Sequence, residues 1–192
     1  MITKQDYIFR QLVTLKDGTR VLLRPLTKDD RQTLIDLFAP VSPEDLQYFR
    51  TEVNNPDVVG SWVDDLDYER ILPLVAIAGD RIVGDATLHF HTGPKRHIAE
   101  VRIFLAKDFR QRGLGSKLLQ ALIDIAKRRN LYMLEVEVVS DQVNIVRAFQ
   151  NTGFVMKCTF EDYFMLPDGG TIDLLHLILR LRNRGVQTSE DF

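Results

Sequence analysis

Residues 98–129 read IAEVRIFLAKDFRQRGLGSKLLQALIDIAKRR, and this stretch decides the fold. Its opening, 98–106, is a strand-forming run of branched and aromatic residues. Its close, 113–129, places Leu114, Leu118, Leu122 and Ile125 on one helix face, with Lys117, Gln120, Asp124, Lys127 and Arg128 opposite. Between strand and helix lies Arg110-Gln111-Arg112-Gly113-Leu114-Gly115-Ser116. Amides at a helix start have no partner inside the helix, and the aligned peptides add about half a positive charge there. Glycines let the backbone approach an anion with no Cβ in the way. Arg110 and Arg112 add positive charge, so a pyrophosphate is a natural guest. A P-loop would need a further glycine upstream, and a dinucleotide fingerprint a third glycine where Leu118 stands. Neither pattern is met.

Downstream, 132–139 reads as a strand and 142–152 as a short helix stopped by Gly153. A long hairpin follows over 154–166 and 171–181, turning at Pro167-Asp168-Gly169-Gly170. Upstream, 12–25 forms two strands around Asp17-Gly18. Thr27 opens a helix as its cap, with Asp29 and Asp30 at the positive end of the dipole. Ser42-Pro43-Glu44-Asp45 opens a second, and Pro56 divides it from a third over 58–66. Strands at 72–78 and 81–91 join at Gly79-Asp80. The order predicts an α/β chain, a mixed sheet with helices on both sides. One domain over 1–181 is expected, with a frayed tail over 182–192.

Composition narrows the setting without naming a function. Of 192 residues, 45% are hydrophobic, enough for one core, and the net charge of −2 gives no global attraction to nucleic acid. Cys158 is the only cysteine, which excludes an internal disulfide and any zinc site built on paired cysteines. The first residues lack a signal-peptide apolar segment, and no run reaches the ~18 apolar residues of a spanning helix. A soluble cytoplasmic protein with no membrane or nucleic-acid partner and no metal is the expectation. His89 and His91 share a strand face, with no acid convincingly near. Cys158 is expected to be buried. Trp62, Tyr48 and Phe49 read as core, and the acidic run Asp64, Asp65, Asp67 and Glu69 as a solvated face.

From Ala99 to Phe154 the chain resembles the GNAT superfamily of N-acetyltransferases. Residues 110–115 are similar to its cofactor signature, (Gln/Arg)-x-x-Gly-x-(Gly/Ala), at the expected place before a long helix. Ile103-Phe104-Leu105 resembles the strand along which the family lays the pantetheine arm, and Gly153-Phe154 its closing pair. The stretch 22–30, with Ser42-Pro43-Glu44, is similar to the acetyltransferase domain of bacterial protein-lysine acetyltransferases. The resemblance implies a GNAT-like fold: a mostly antiparallel sheet with two splayed parallel strands, flanked by helices. It also implies acetyl-CoA as cosubstrate and an amine acceptor, either a protein lysine or a small amine. Cofactor contacts would come from residues 103–105 and 110–116 and from Gln142 and Asn144. Two departures stand out: Gln142 where the family often has Asn, and Phe149 where many members place a proton-donating Tyr.

Acetyl transfer from a thioester to an amine requires positioning, a polarised carbonyl and a neutral amine. A lysine amine, of pKa ~10.4, costs roughly 4–5 kcal/mol to neutralise at pH 7, so a base or water relay is useful. Glu100 lies where related lysine acetyltransferases carry their base, and Glu137 where other members do; both stay open. Burial is expected to raise the pKa of such a base. Leu105 N–H is expected to hold the thioester oxygen, and Tyr163 is a candidate proton donor. A non-catalytic acyl-CoA sensor remains as the alternative function, and a homodimer stays open.

Overall fold

The computed structural model describes residues 8–182. Of the expected tail, 183–192 lies outside the described residues. Eight strands form one sheet in the order β1-β2-β3-β4-β5-β6-β8-β7. They are β1 (Gln11–Thr14), β2 (Arg20–Pro25), β3 (Ile71–Ala78), β4 (Arg81–Phe90), β5 (Ile98–Leu105), β6 (Met133–Val139), β7 (Val155–Met165) and β8 (Thr171–Arg180). Every neighbouring pair is antiparallel except β5 and β6. That parallel pair holds register only at Ile98↔Met133, Ala99↔Leu134 and Glu100↔Glu135. Past Glu100 and Glu135 the two strands part. This mixed sheet with one splayed parallel pair is the fold the sequence predicts.

The helix α4 (Leu114–Arg128) links the two parallel strands. Leu114, Leu118, Leu122 and Ile125 are all fully buried, as their spacing requires. Each such side chain contributes roughly 1.5–3 kcal/mol of apolar burial. Gly84 on β4 lets α4 lie close, since a Cβ there would stand 2.9 Å from Leu105 Cδ2 and 3.1 Å from Leu118 Cδ1. Side chains of a strand alternate between faces. Ile103 and Leu105 therefore face α4, while Glu100, Arg102 and Phe104 face the opposite layer.

That opposite layer holds α1 (Arg31–Phe38), α2 (Pro43–Leu46) and α3 (Pro56–Asp64). Phe38 of α1 stacks on Phe104 at 4.7 Å, and Phe49 and Trp62 pack edge-on around Phe38. Phe49 and Trp62 are thus packing residues, as expected. Tyr48 is not; its hydroxyl reaches Asp141 Oδ2 at 2.7 Å. Pro56 opens α3 at its first turn, where a missing N–H costs nothing, and does not act as a spacer before it. Asn55 caps that helix through Asp57 N–H at 3.0 Å. The helix at Ser42 stops after four residues. Ahead of α1, the Asp30 carboxylate accepts from Thr27 N–H, Thr27 Oγ1 and both guanidinium nitrogens of Arg24.

The helix α5 (Val143–Asn151) follows β6 and ends against the β7–β8 hairpin. Strand β7 forms the sheet edge, and Cys158 is exposed on it, contrary to the burial expected from its strand position. No helix among the described residues is long and apolar enough to cross a membrane, which says nothing of a β-barrel.

Candidate active site

Two parallel strands that each run into a helix place both helix starts at the same end of the sheet. Here α4 begins beyond β5 and α5 beyond β6, at the end where the strands have separated. The loop before α4 curls through two left-handed residues, Gln111 at φ 61° and Gly113 at φ 88°. Gly113 precedes the helix in that conformation, which costs a glycine no Cβ clash. The amides of Leu114, Gly115 and Ser116 follow in the first turn, where helical geometry offers them no partner. Leu114 itself is a core side chain and contributes to the site only its backbone. Ser116 is exposed beside it.

The two arginines do not point freely at this turn. Arg110 donates to Leu105 O at 3.3 Å and to Asp45 Oδ2 at 2.9 Å, and lies over the Phe104 ring. Arg112 binds Asp17, Thr19 Oγ1 and Asp108 O, and covers Phe109. Thr19 N–H first, then the Arg112 guanidinium, holds the Asp17 carboxyl down at about 2. The expectation that both arginines add charge at the phosphate turn is therefore corrected: their guanidinium groups brace the turn against β1–β2 and α2. A cavity of about 340 Å³ lies beside this brace, lined by Leu37, Val41, Asp45, Phe104, Ala106 and Arg110 among others.

Strand β5 divides the predicted cofactor residues by parity. Ala106 N–H is spent on Val83 O at 3.0 Å, and Ile98 O accepts from His91, so the even positions turn their backbone toward β4. Alternation then turns the amides of Ile103 and Leu105 toward the side vacated by β6. Phe104 lies between them with its backbone committed to β4 and its ring in the core. At the other wall, the Gln142 carbonyl accepts from Ile145 and Val146 at the start of α5, and Asn144 is exposed in that first turn. Phe149 is buried against Phe154, with ring centroids 5.1 Å apart.

At the point of separation and just past it the floor is acidic and crossed by cations. Glu100 accepts from Arg102 Nε and Nη2, both at 3.0 Å, and Arg50 Nη1 stands 3.6 Å from it. The same Arg50 pairs with Glu137 through Nη2. Burial pushes the Glu100 carboxyl up, but the Arg102 hydrogen bonds and the charges of Arg102 and Arg50 outweigh it and leave it below the usual range. The expected rise is thus reversed, and the reason is the neighbouring guanidinium groups. Glu100 and Glu137 are brought together, on opposite strands, by one bridging side chain.

Glu135 on β6 stands beside two histidines. His91 Nε2 lies 2.6 Å from Oε1, and His176 Nε2 lies 3.3 Å from Oε2 at an angle too poor for a hydrogen bond. The reading that no acid stands near His91 is corrected. His89 instead bonds Thr87 Oγ1 at 2.9 Å, and burial, with Arg102 behind it, pushes it down to about 4. The signal missed was cross-strand register: His89↔Glu100, Glu100↔Glu135 and Glu137↔His176 are paired positions. Among the described residues no group of three or more His, Cys, Asp or Glu side chains is arranged to hold a metal. Tyr163 is exposed on β7, with β8 and β6 between it and the gap, packed on Phe160 and Phe164.

The sheet is pried open at one parallel pair, with helix-start amides suited to an anionic group at the mouth and carboxylates on the floor. The sequence profile of the Acetyltransferase (GNAT) family matches residues 33–154, and the chain belongs to that family, which transfers acetyl from acetyl-CoA. An acetyltransferase of Pseudomonas aeruginosa is 28% identical over 135 residues, which are 64% of this chain and 69% of that relative. The fold is shared with the GNAT domain of S. lividans PAT, with a TM-score of 0.74, 22% identity, and coverage of 94% of this chain and 99% of that one. It is shared too with yncA from Salmonella typhimurium, whose structure holds its cofactor acetyl-CoA. There the TM-score is 0.71 at 19% identity, covering 88% of this chain and 98% of the other.

Proposed function

We propose that the protein is an N-acetyltransferase that moves acetyl from acetyl-CoA to a primary amine by direct transfer. The observation that carries this reading is the gap between β5 and β6, with unpaired amides along one wall and the ionised Glu100 carboxylate at its base. The pantetheine arm would occupy the place β6 leaves beside Ile103 and Leu105, taking hydrogen bonds as a strand does. The pyrophosphate would rest on the amides of residues 113–116, and the first turn of α5, with Gln142 and Asn144, would meet the cofactor from the other wall. Leu105 N–H would polarise the thioester carbonyl.

In the transfer, the amine lone pair attacks the thioester carbon. The N–C bond forms, the C–S bond breaks, and the thiolate leaves to take up a proton. Glu100 is ionised at neutral pH and so is in the form that accepts a proton from the incoming ammonium. It lies five residues before Leu105, roughly 16 Å along a strand rising about 3.3 Å per residue. Water therefore relays the proton between amine and carboxylate. Glu137, on the facing strand, keeps the approach negative. The likeness of 22–30 and Ser42-Pro43-Glu44 to protein-lysine acetyltransferase domains supports a protein lysine as acceptor over a small amine.

A non-catalytic acyl-CoA sensor is the second reading, favoured by Phe149, which packs in the core and has no hydroxyl to donate. Thiol release from acetyl-CoA, measured with lysine peptides and simple alkylamines, separates the two. Amine-dependent release supports the transferase; tight CoA binding in calorimetry with no release from any amine leaves the sensor.

A further inference from the structure

The group that joins Glu100 to Glu137 is not part of either strand. Arg50 comes from the segment after α2, which crosses the gap as a strap. Asp45 ties the strap to Arg110 at the β5 side, and Tyr48 ties it to Asp141 at the β6 side. Between those anchors Arg50 lowers its guanidinium onto both carboxylates. Glu100 already has a permanent partner in Arg102, from its own strand. Among the described residues Glu137 has no cationic partner other than Arg50. The pair therefore forms a seat for one more cation, and the chain's own side chain fills it. Arg50 is 45% exposed, so water weakens its hold, whereas Glu100 is only 15% exposed.

We propose that Arg50 is a specificity-determining residue that occupies the acceptor's docking seat: the acceptor first enters as an alkylammonium ion that displaces Arg50 from Glu100 and Glu137, then advances along the gap toward Leu105 and returns its proton to Glu100 through water. This rests on the reading of the site as an amine acetyltransferase and names how the amine is recognised: by charge, before it gives up its proton. An acceptor lacking a positive charge gains nothing from the exchange, because it would strip two carboxylates of a cation and return none. The strap then does two things. It keeps the acids compensated while the site is empty, and it sets a threshold that weakly basic amines do not pass.

The test uses the full chain and the Arg50→Ala, Arg50→Lys and Arg50→Ala/Glu137→Gln variants. Butylammonium is titrated at pH 7.5 without acetyl-CoA and followed by NMR shifts of the protein. Arg50→Ala should bind it about fivefold tighter than wild type, the gain expected when a half-exposed competing ion pair is removed. Arg50→Lys should restore the wild-type value, and adding Glu137→Gln should abolish the gain. In turnover assays Arg50→Ala should lower the KM for butylamine by a similar factor. Unchanged or weaker binding by a folded Arg50→Ala protein overturns the proposal. Circular dichroism checks folding, and Arg50→Lys provides a second, conservative comparison should the alanine variant unfold. Tighter butylammonium binding with no acetyl transfer to any amine would sink the transferase reading and leave the seat intact. Transfer without the gain in binding would do the reverse.

Discussion

Glu100 and Glu135 are the last partners of the parallel pair, side by side on β5 and β6, and the sheet opens directly beyond them. Two acids at adjacent parallel positions repel unless each is compensated. Glu100 is compensated by Arg102 and Arg50, and Glu135 shares a hydrogen bond with His91. The point where hydrogen bonding between the strands stops is thus also the point where charge is concentrated.

Replacing Glu100 by Gln removes the proton acceptor while keeping shape. Turnover should fall about a hundredfold or more, the usual range for a lost general base, and CoA affinity should stay near wild type. Steady-state thiol release and calorimetry check the two halves. Unaltered turnover would remove Glu100 from the reaction.

Arg102 sets the pH at which Glu100 works. Its hydrogen bonds stabilise the ionised carboxylate, so Arg102→Met leaves burial less opposed and the Glu100 pKa rises. The acidic limb of kcat/KM should then move to higher pH, by about one unit. A limb that stays in place, or moves lower, would show that another group governs it.

The two loop glycines should behave differently. Gly113 sits at φ 88°, so alanine there is strained although a Cβ would meet nothing nearer than Lys16 at 3.7 Å. Gly115 has no such backbone demand, and its Cβ would make an ordinary 3.5 Å contact with Leu105. Gly113→Ala should cost about 1–2 kcal/mol in holding the turn and weaken CoA binding about tenfold. Gly115→Ala should bind within about threefold of wild type, less than 1 kcal/mol. Calorimetric titration of CoA ranks the pair.

Arg24 and Asp30 form a buried pair beneath α1, with side chains 16% and 9% exposed. Burial pushes the Asp30 carboxyl up, but Arg24 and Thr27 overcome it and hold it below the usual range. A depressed folded pKa adds stability above the unfolded value of ~3.9 and loses it as pH falls through the folded value. Arg24→Met should destabilise by about 3 kcal/mol at pH 7, because it strands a buried charge. Urea unfolding should show that gap narrowing toward pH 3. A constant gap across that range would rule out the ion pair as its cause.

Asp85 titrates the opposite way. It lies across from Val75 and Phe104, its Oδ1 is shut off from water without a partner, and burial alone pushes it up to about 7. The folded chain keeps a proton that the unfolded chain has released, so stability is full below about pH 4 and declines as pH rises through about 7. Asp85→Asn should remove that decline, a difference on the order of 2–4 kcal/mol at pH 8. Parallel slopes for the two proteins between pH 5 and 8 in urea titrations would contradict it.

What could be read from sequence was what local pattern controls. The apolar spacing of Leu114, Leu118, Leu122 and Ile125 required a helix, and the alternating strands around it required a sheet. The turn before α4 was legible because glycines before a helix have a direct backbone consequence. Pairings set by register were not legible: nothing near Glu135 in the chain announces His91 or His176, which arrive from other strands. Nor was the use of Arg110 and Arg112, whose acidic partners Asp45 and Asp17 lie far upstream. The crossing of Arg50 over the gap depends on where a helix of only four residues stops, and end points are the weakest part of any pattern.

The bond from Arg112 to Asp17, with Lys16 N–H on Arg112 O at 3.5 Å, makes the first hairpin a buttress for a turn almost a hundred residues later. The stretch shared with the family begins at residue 33, after that hairpin. A fragment trimmed to the homologous boundary would keep every signature glycine yet lose the abutment beneath them. The family-matched stretch and the self-supporting fold have different edges in this chain, and the earlier edge is the one that matters for anyone cutting it.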